Sequence, residues 1–175
     1  MNDEIIYVGP LSAVASTVEA SGVGYLVTLM NDQMMVERPS SIEPERHLRL
    51  VMNDISEPKP GLVPPNDAHV RELIDFVVDW DCHLPILIHC WAGISRSTAA
   101  AFITMCALNP GIDEKRLAQI LRTASSTATP NSRLVALADG LLERHGRMSR
   151  AIEDIGRGHN TMEGVPFQLP ARMAS

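Results

Sequence analysis

Hydrophobic and polar positions follow two different periods along the first half of the chain. Ile5 to Val8 is a short apolar run that stops at Gly9-Pro10. Leu11, Val14, Ala15 and Val18 then recur at helical spacing, with Gly22 placed to end that helix. Tyr25-Leu26-Val27-Thr28-Leu29-Met30 is almost continuously apolar and β-prone, as a strand covered on both faces of a parallel sheet reads. Residues 31–46 hold two prolines and many polar residues, a loop. His47 to Met52 is another strand, ending at Asn53-Asp54. Residues 55–65 carry four prolines and a glycine, a second long loop of the kind that is often functional.

The second half turns helical. Asn66 is placed to cap a helix whose core face is Val70, Leu73, Ile74 and Val77. Pro85-Ile86-Leu87-Ile88-His89 is a buried strand. The helix expected from Arg96 to Leu108 is apolar almost all round, so it belongs in the centre of the molecule, and Asn109-Pro110-Gly111 ends it. Asp113 opens a helix with Leu117, Ile120 and Leu121 inward, and another follows Thr129-Pro130-Asn131 with Leu134, Val135, Leu137, Leu141 and Leu142. The pattern weakens past Gly146, and from Gly156 the Gly/Pro-punctuated chain reads as a surface tail. Strands alternating with helices, then helices alone, predict an α/β fold: a mainly parallel central sheet flanked by helices. The expected organisation is one domain over 1–155 and a tail over 156–175. Ligands in such sheets sit at the carboxyl ends of strands, and Cys90 stands at that end of strand 85–89.

Composition narrows the partners. A chain of 175 residues, 45% hydrophobic and 21% charged, suits a single globular domain. A net charge of −6 with no basic run argues against nucleic acid and against an anionic membrane. The acidic start, Met1-Asn2-Asp3-Glu4, lacks the features of a secretory signal, and no apolar run spans a bilayer, so a cytoplasmic location is expected. Cys82, Cys90 and Cys106 fit a reducing compartment and form neither a disulfide framework nor a zinc site. Cys82 and Cys106 read as packing residues. His47, His69, His83, His145 and His159 form no ligand pattern and read as surface or packing residues.

The chemistry concentrates in His89-Cys90-Trp91-Ala92-Gly93-Ile94-Ser95-Arg96-Ser97, between a buried strand and a buried helix. A short loop entering a helix gathers its backbone N–H groups into a concavity, and the helix dipole favours an anion there. Gly93 permits the sharp turn. Trp91, Ala92, Gly93, Ile94 and Ser95 would line a phosphate with their amides. Arg96, where loop becomes helix, can fold back and hold two phosphate oxygens with its planar fork, which lysine cannot. The same field favours the thiolate of Cys90, aimed at a bound phosphorus.

Cysteine, five residues and arginine, preceded by histidine and followed by serine, resembles the signature of the protein tyrosine phosphatase superfamily, and most closely its dual-specificity branch, in a bacterial form. Ala101-Phe102-Ile103-Thr104-Met105 resembles that branch's following helix, and Arg122 with Thr129-Pro130-Asn131 its next segment. The similarity runs over roughly residues 45–142. It implies a phosphomonoester hydrolase in which Cys90 attacks phosphorus and forms a phosphocysteine, while Arg96 and the loop amides bind the dianion. It implies that Ser97 donates to the departing sulfur and that His89 sits behind the loop on backbone as a supporting residue. It implies no metal or organic cofactor. Substrates would be phosphorylated proteins or small phosphoesters, with phosphate or vanadate as site ligands.

A general acid is needed for a poor leaving group. The resemblance places an Asp on a loop after an upstream strand, and Asp54 fits, with Asp67 and Glu57 as rivals. Asp67 falls in the first turn of a helix, where an acid is commonly a dipole partner. Trp91 reads equally as a pocket wall and as a core residue. Two other classes remain open at this point. A rhodanese- or Cdc25-like protein or an arsenate reductase would also use a cysteine in an anion-binding loop. A non-catalytic phosphate-binding module would keep the loop without the turnover.

Overall fold

The apolar runs do become a parallel sheet. The structure, a computed structural model, describes residues 4–34 and 36–174. Met1, Asn2 and Asp3 of the acidic N-terminal run lie outside them, as do Met35 and Ser175. Strands β1 (Ile5–Pro10), β2 (Tyr25–Met30), β3 (His47–Val51) and β4 (Ile86–Cys90) run parallel. A fifth strand, β5 (Phe167–Pro170), pairs antiparallel with β1, and the sheet order is β3-β2-β4-β1-β5. The strand expected at 85–89 starts and ends one residue later, so Cys90 is its last residue rather than the first of the loop.

Alternation along the strands divides the core in two. Tyr7, Leu26 and Leu87 face one side, where α1 (Val14–Ser21) covers them with Val14 and Val18, and the loop before β3 adds Ile42. Ile6, Val8, Val27, Leu29, Ile86 and Ile88 face the other side and the remaining helices. Those are α2 (Asp67–Asp79), α3 (Arg96–Leu108), α4 (Glu114–Ala124), α5 (Ser132–Leu141) and α6 (Arg147–Ile155). In α3 every residue but Ala107 is buried, which matches its all-round apolar sequence. Ala99, Ala100 and Ala101 give it the slim profile that a helix needs to lie between a sheet and three other helices.

The helix ends are made by the expected residues. Asn66 Oδ1 accepts from His69 N (3.1 Å) while His69 Nδ1 accepts from Asn66 N (3.2 Å), a reciprocal cap on α2. Asp113 caps α4 through Lys115 N (2.9 Å), and Asn131 caps α5 through Leu134 N (3.0 Å). The start of α6 is capped from a distance. The buried Asp139 carboxylate on α5 accepts from Gly146 N (2.6 Å), Met148 N (2.7 Å) and Ser149 N (3.3 Å).

The segment after Gly156 is not a surface tail. Leu169 and Ala171 are buried in the main core, and β5 is an edge strand of the sheet. Ala171 N donates to Glu4 O (2.9 Å), and Asn109 Nδ2 reaches across to Ala171 O (2.7 Å). Short length and Gly/Pro flanks hid the strand. Cys82 and Cys106 are free and buried, and burial pushes the Cys106 thiol up to about 12, as a packing cysteine requires. Leu169→Ala is expected to cost about 2–5 kcal/mol of unfolding free energy, read from the urea midpoint. A loss of about 0.5 kcal/mol or less, as for a surface side chain, would mean that β5 is not part of the core.

Candidate active site

β4 ends at Cys90 and α3 begins at Arg96, so residues 91–95 must reverse the chain in a single tight loop. The loop is seated on the end of β1. Gly93 adopts φ +69°, and a Cβ there would stand 2.6 Å from Pro10 N and 2.7 Å from Gly9 C, so only glycine fits.

Four of the five loop carbonyls, those of Trp91, Ala92, Ile94 and Ser95, point outward and are bonded to three remote segments, Ser95 O to α3 as well. Trp91 O accepts from Leu11 N (3.1 Å) and Ala92 O from Gly164 N (2.8 Å). Ile94 O accepts from Thr129 N (2.9 Å), and Ser95 O from Asn131 N (3.2 Å) and Ala99 N (3.0 Å). Gly164 crosses so closely that a Cβ on it would lie 2.8 Å from Gly93 O. Among the described residues, no protein group accepts a hydrogen bond from the amides of Trp91 to Arg96. With the carbonyls turned out, those donors form a concave nest at the N-terminus of α3, where the helix dipole adds positive potential.

Side chains complete the bowl. Cys90 is buried, and its thiol donates to Ser97 Oγ (3.2 Å); when the thiol is ionised the pair reverses and the hydroxyl donates to sulfur. Arg96 is only 7% exposed. Its Nη1 donates to Met52 O (2.9 Å), which turns the guanidinium, and its buried Nε has no hydrogen-bond partner. A buried guanidinium N–H without an acceptor is costly unless a ligand supplies one.

Asp54 reaches the rim of this loop. Its Oδ1 accepts from Ser95 Oγ (2.8 Å) and from Asn131 Nδ2 (2.9 Å), and Asn131 Nδ2 also donates to Ile55 O (3.2 Å). The rivals Glu57 and Asp67 are exposed, and no hydrogen bond joins either to the loop among the described residues. The proline-rich loop behind Asp54 is braced at its base: Asn53 N donates to Val63 O (2.7 Å), and Val63 N to Asn53 Oδ1 (2.8 Å). Trp91 is 56% exposed, which removes the core reading.

His89 lies behind the loop, fully buried, with Nδ1 3.3 Å from Cys90 O and Nε2 2.8 Å from Thr28 Oγ1. Thr28 Oγ1 also lies 2.8 Å from His47 Nε2. These contacts fix the tautomers. His89 Nδ1–H donates to the carbonyl, Thr28 donates to His89 Nε2, and His47 Nε2–H donates to Thr28. Burial lowers both imidazoles to about 4, so both are neutral near pH 7. His47 is therefore part of the site's support, where the sequence pattern places it on the surface or in packing. The available signal was Thr28, the only polar residue in the run from Tyr25 to Met30.

The family model for protein-tyrosine phosphatase matches residues 23–129, which takes in β2, β3, the Asp54 loop, β4, the phosphate loop and α3. The chain belongs to the protein-tyrosine phosphatase family. It is a cysteine-based protein-tyrosine phosphatase. The match begins well upstream of residue 45, where the sequence resemblance starts. No curated protein matches the chain. The fold is similar to that of the Cydia pomonella PTP-2 phosphatase, at 22% identity, 77% of this chain, 84% of that chain and a TM-score of 0.58. It is also similar to human DUSP28, at 17% identity, 80% and 89% coverage and a TM-score of 0.62. The human tyrosine phosphatase-like serine/threonine/tyrosine-interacting protein is similar at 16% identity, 80% and 92% coverage and a TM-score of 0.62.

The histidine chain generates a stability prediction. An unfolded chain takes up protons at His47 and His89 near the ordinary value of 6.5, whereas the folded chain does so only near about 4. Stability is therefore full above about 6.5 and falls as pH drops toward about 4, with a shallower slope in His47→Gln. Thr28→Val strands two ring nitrogens and costs about 1–3 kcal/mol, which Thr28→Ser largely restores. Equal urea midpoints for the Val and Ser variants would show that the hydroxyl does not hold the rings.

Proposed function

We propose that the chain hydrolyses phosphate monoesters on proteins with Cys90 as nucleophile, Arg96 as clamp, Asp54 as general acid and Ser97 as donor to the departing sulfur. The observation that carries this reading is the nest itself. The amides of Trp91 to Arg96 and the buried Arg96 Nε are all donors without protein acceptors, gathered where β4 delivers a thiol. A phosphoryl group offers the oxygens that these donors lack. In its trigonal-bipyramidal transition state the three equatorial oxygens lie in one plane, and donors preformed around that plane favour it over the tetrahedral ground state.

In the first step the Cys90 thiolate attacks phosphorus, the bond to the ester oxygen breaks, and Asp54 gives that oxygen its proton. In the second step water attacks the phosphocysteine, Asp54 takes the proton from water, and Ser97 donates to the sulfur as it leaves. Trp91, Ala92, Gly93, Ile94 and Ser95 contribute amides, and the Ser95 hydroxyl also holds Asp54 at the rim. His89 keeps the Cys90 carbonyl pointed away from the nucleophile by donating to it.

The five residues between Cys90 and Arg96 include no lysine or arginine, so the bowl is built for one phosphoryl group rather than a polyphosphorylated ring. A structure with a similar fold, PTPMT1, is described in complex with PI(5)P, at 13% identity. The absence of extra loop cations favours phosphoprotein over phosphoinositide for this chain. Unpaired cysteines fit a cytoplasmic setting, and no described helix is long and apolar enough to cross a membrane.

Cys90→Ser is expected to abolish turnover of p-nitrophenyl phosphate while retaining phosphate binding, because the amides and Arg96 remain. Substantial turnover by this variant would rule out the covalent route. Asp54→Asn is expected to slow phenyl phosphate far more than an activated aryl phosphate and to flatten the alkaline limb of kcat/KM. If Asp67→Asn or Glu57→Gln shows that leaving-group dependence instead, the acid is not Asp54.

A further inference from the structure

Trp91 belongs to two concavities. Its backbone forms the phosphate nest, and its indole lines an open groove of about 380 Å³ with Leu11, Ser12, Met162 and Glu163. The groove wall is apolar and in water: Trp91 is 56% exposed and Met162 95%. The segment that carries Met162 is nevertheless well fixed. Gly164 N donates to Ala92 O (2.8 Å), Ser12 Oγ to Glu163 Oε1 (2.5 Å), and Thr161 Oγ1 to Glu163 O (2.9 Å). A pinned segment that holds a methionine beside an exposed tryptophan keeps apolar area from being buried, which marks a surface that something else covers.

We infer that this groove receives an apolar side chain flanking the phosphorylated residue of a peptide substrate, with Trp91 and Met162 setting the preference. The inference rests on the phosphatase reading above and adds a preference for the residue that flanks the phosphorylated one. Trp91 follows Cys90 directly in the chain, so the groove lined by its indole adjoins the place where a phosphate would lie, and a residue flanking the phosphorylated one is the part of a peptide that would meet it. The groove is at the small end of ligand sites, which run to about 300–1,000 Å³, and so suits one side chain. Its one charged residue is Glu163, which disfavours an acidic residue and an anionic bilayer surface alike. The occupant is thus a leucine- or phenylalanine-like side chain on a phosphoprotein.

The test uses the Cys90→Ser chain and two phosphotyrosine peptides that differ only in carrying Leu or Gly at both flanking positions. Calorimetric titration is expected to give about tenfold tighter binding for the Leu peptide, with a difference of less than about threefold once Met162→Ser is added. Dephosphorylated peptides serve as the baseline. In the otherwise native chain, Met162→Ser is expected to leave p-nitrophenyl phosphate turnover unchanged. Equal binding of the two peptides overturns the inference, and so does a Leu preference that survives Met162→Ser. Met162-dependent binding to phosphatidylserine vesicles without peptide discrimination also overturns it, in favour of a membrane contact. Failure of the phosphatase reading shows separately, as no p-nitrophenyl phosphate turnover by the native chain.

Discussion

The structure depends on one constraint: the five residues between Cys90 and Arg96 must turn their carbonyls outward. A buried strand meets a buried helix there, and a loop so placed has backbone groups that water cannot freely serve. Three segments remote in sequence satisfy four of the carbonyls, through Leu11, Gly164 and the pair Thr129 and Asn131. That leaves the N–H groups converging on one point. The proposed anion site follows from this division, with the thiol of Cys90 at the end of β4 beside it.

Much of the remaining architecture serves that turn. β1 ends at Pro10 against Gly93, so the first strand acts as the anvil for the loop. The C-terminal segment crosses at Gly164 before it returns as β5 to pair with the same strand. Asn131 does three things at once: its amide bonds Ser95 O, its side-chain carbonyl caps α5, and its side-chain N–H₂ holds Asp54. Behind the sheet face covered by α1, the chain His47–Thr28–His89 fixes the Cys90 carbonyl with neutral rings. Asp54, Cys90 and Arg96 are therefore held by interlocking contacts rather than by separate devices.

How much of this could be read in advance depended on how local each signal is. The strand at Tyr25–Met30, the buried helix over Arg96–Leu108 and the caps Asn66 and Asp113 rest on residues a few positions apart, and their elements formed where the pattern placed them. Cys90 and Arg96 were legible for the same reason, since strand, loop and helix are contiguous. α6 was not, because its cap is Asp139 on another helix. β5 was not, because a four-residue edge strand with one residue fully buried has almost no period to detect. Asp54 differs from Asp67 and Glu57 in its contacts with Ser95 and Asn131, which are far away in sequence and so could not be read in advance. Thr28 and His47 were missed because their meeting depends on strand register, although a lone threonine in an apolar run was the clue.

The central claim, that the amides of Trp91 to Arg96 converge on a single anion, is most directly tested by amide NMR. Inorganic phosphate titrated into the Cys90→Ser chain is expected to shift the N–H resonances of Trp91 through Arg96 and the Nε–H of Arg96 together, with one binding constant. The amides of Leu11, Thr129, Asn131 and Gly164, which donate to the outward carbonyls, should move far less. Shifts confined to other surfaces, or unchanged loop amides at saturating phosphate, would contradict the account.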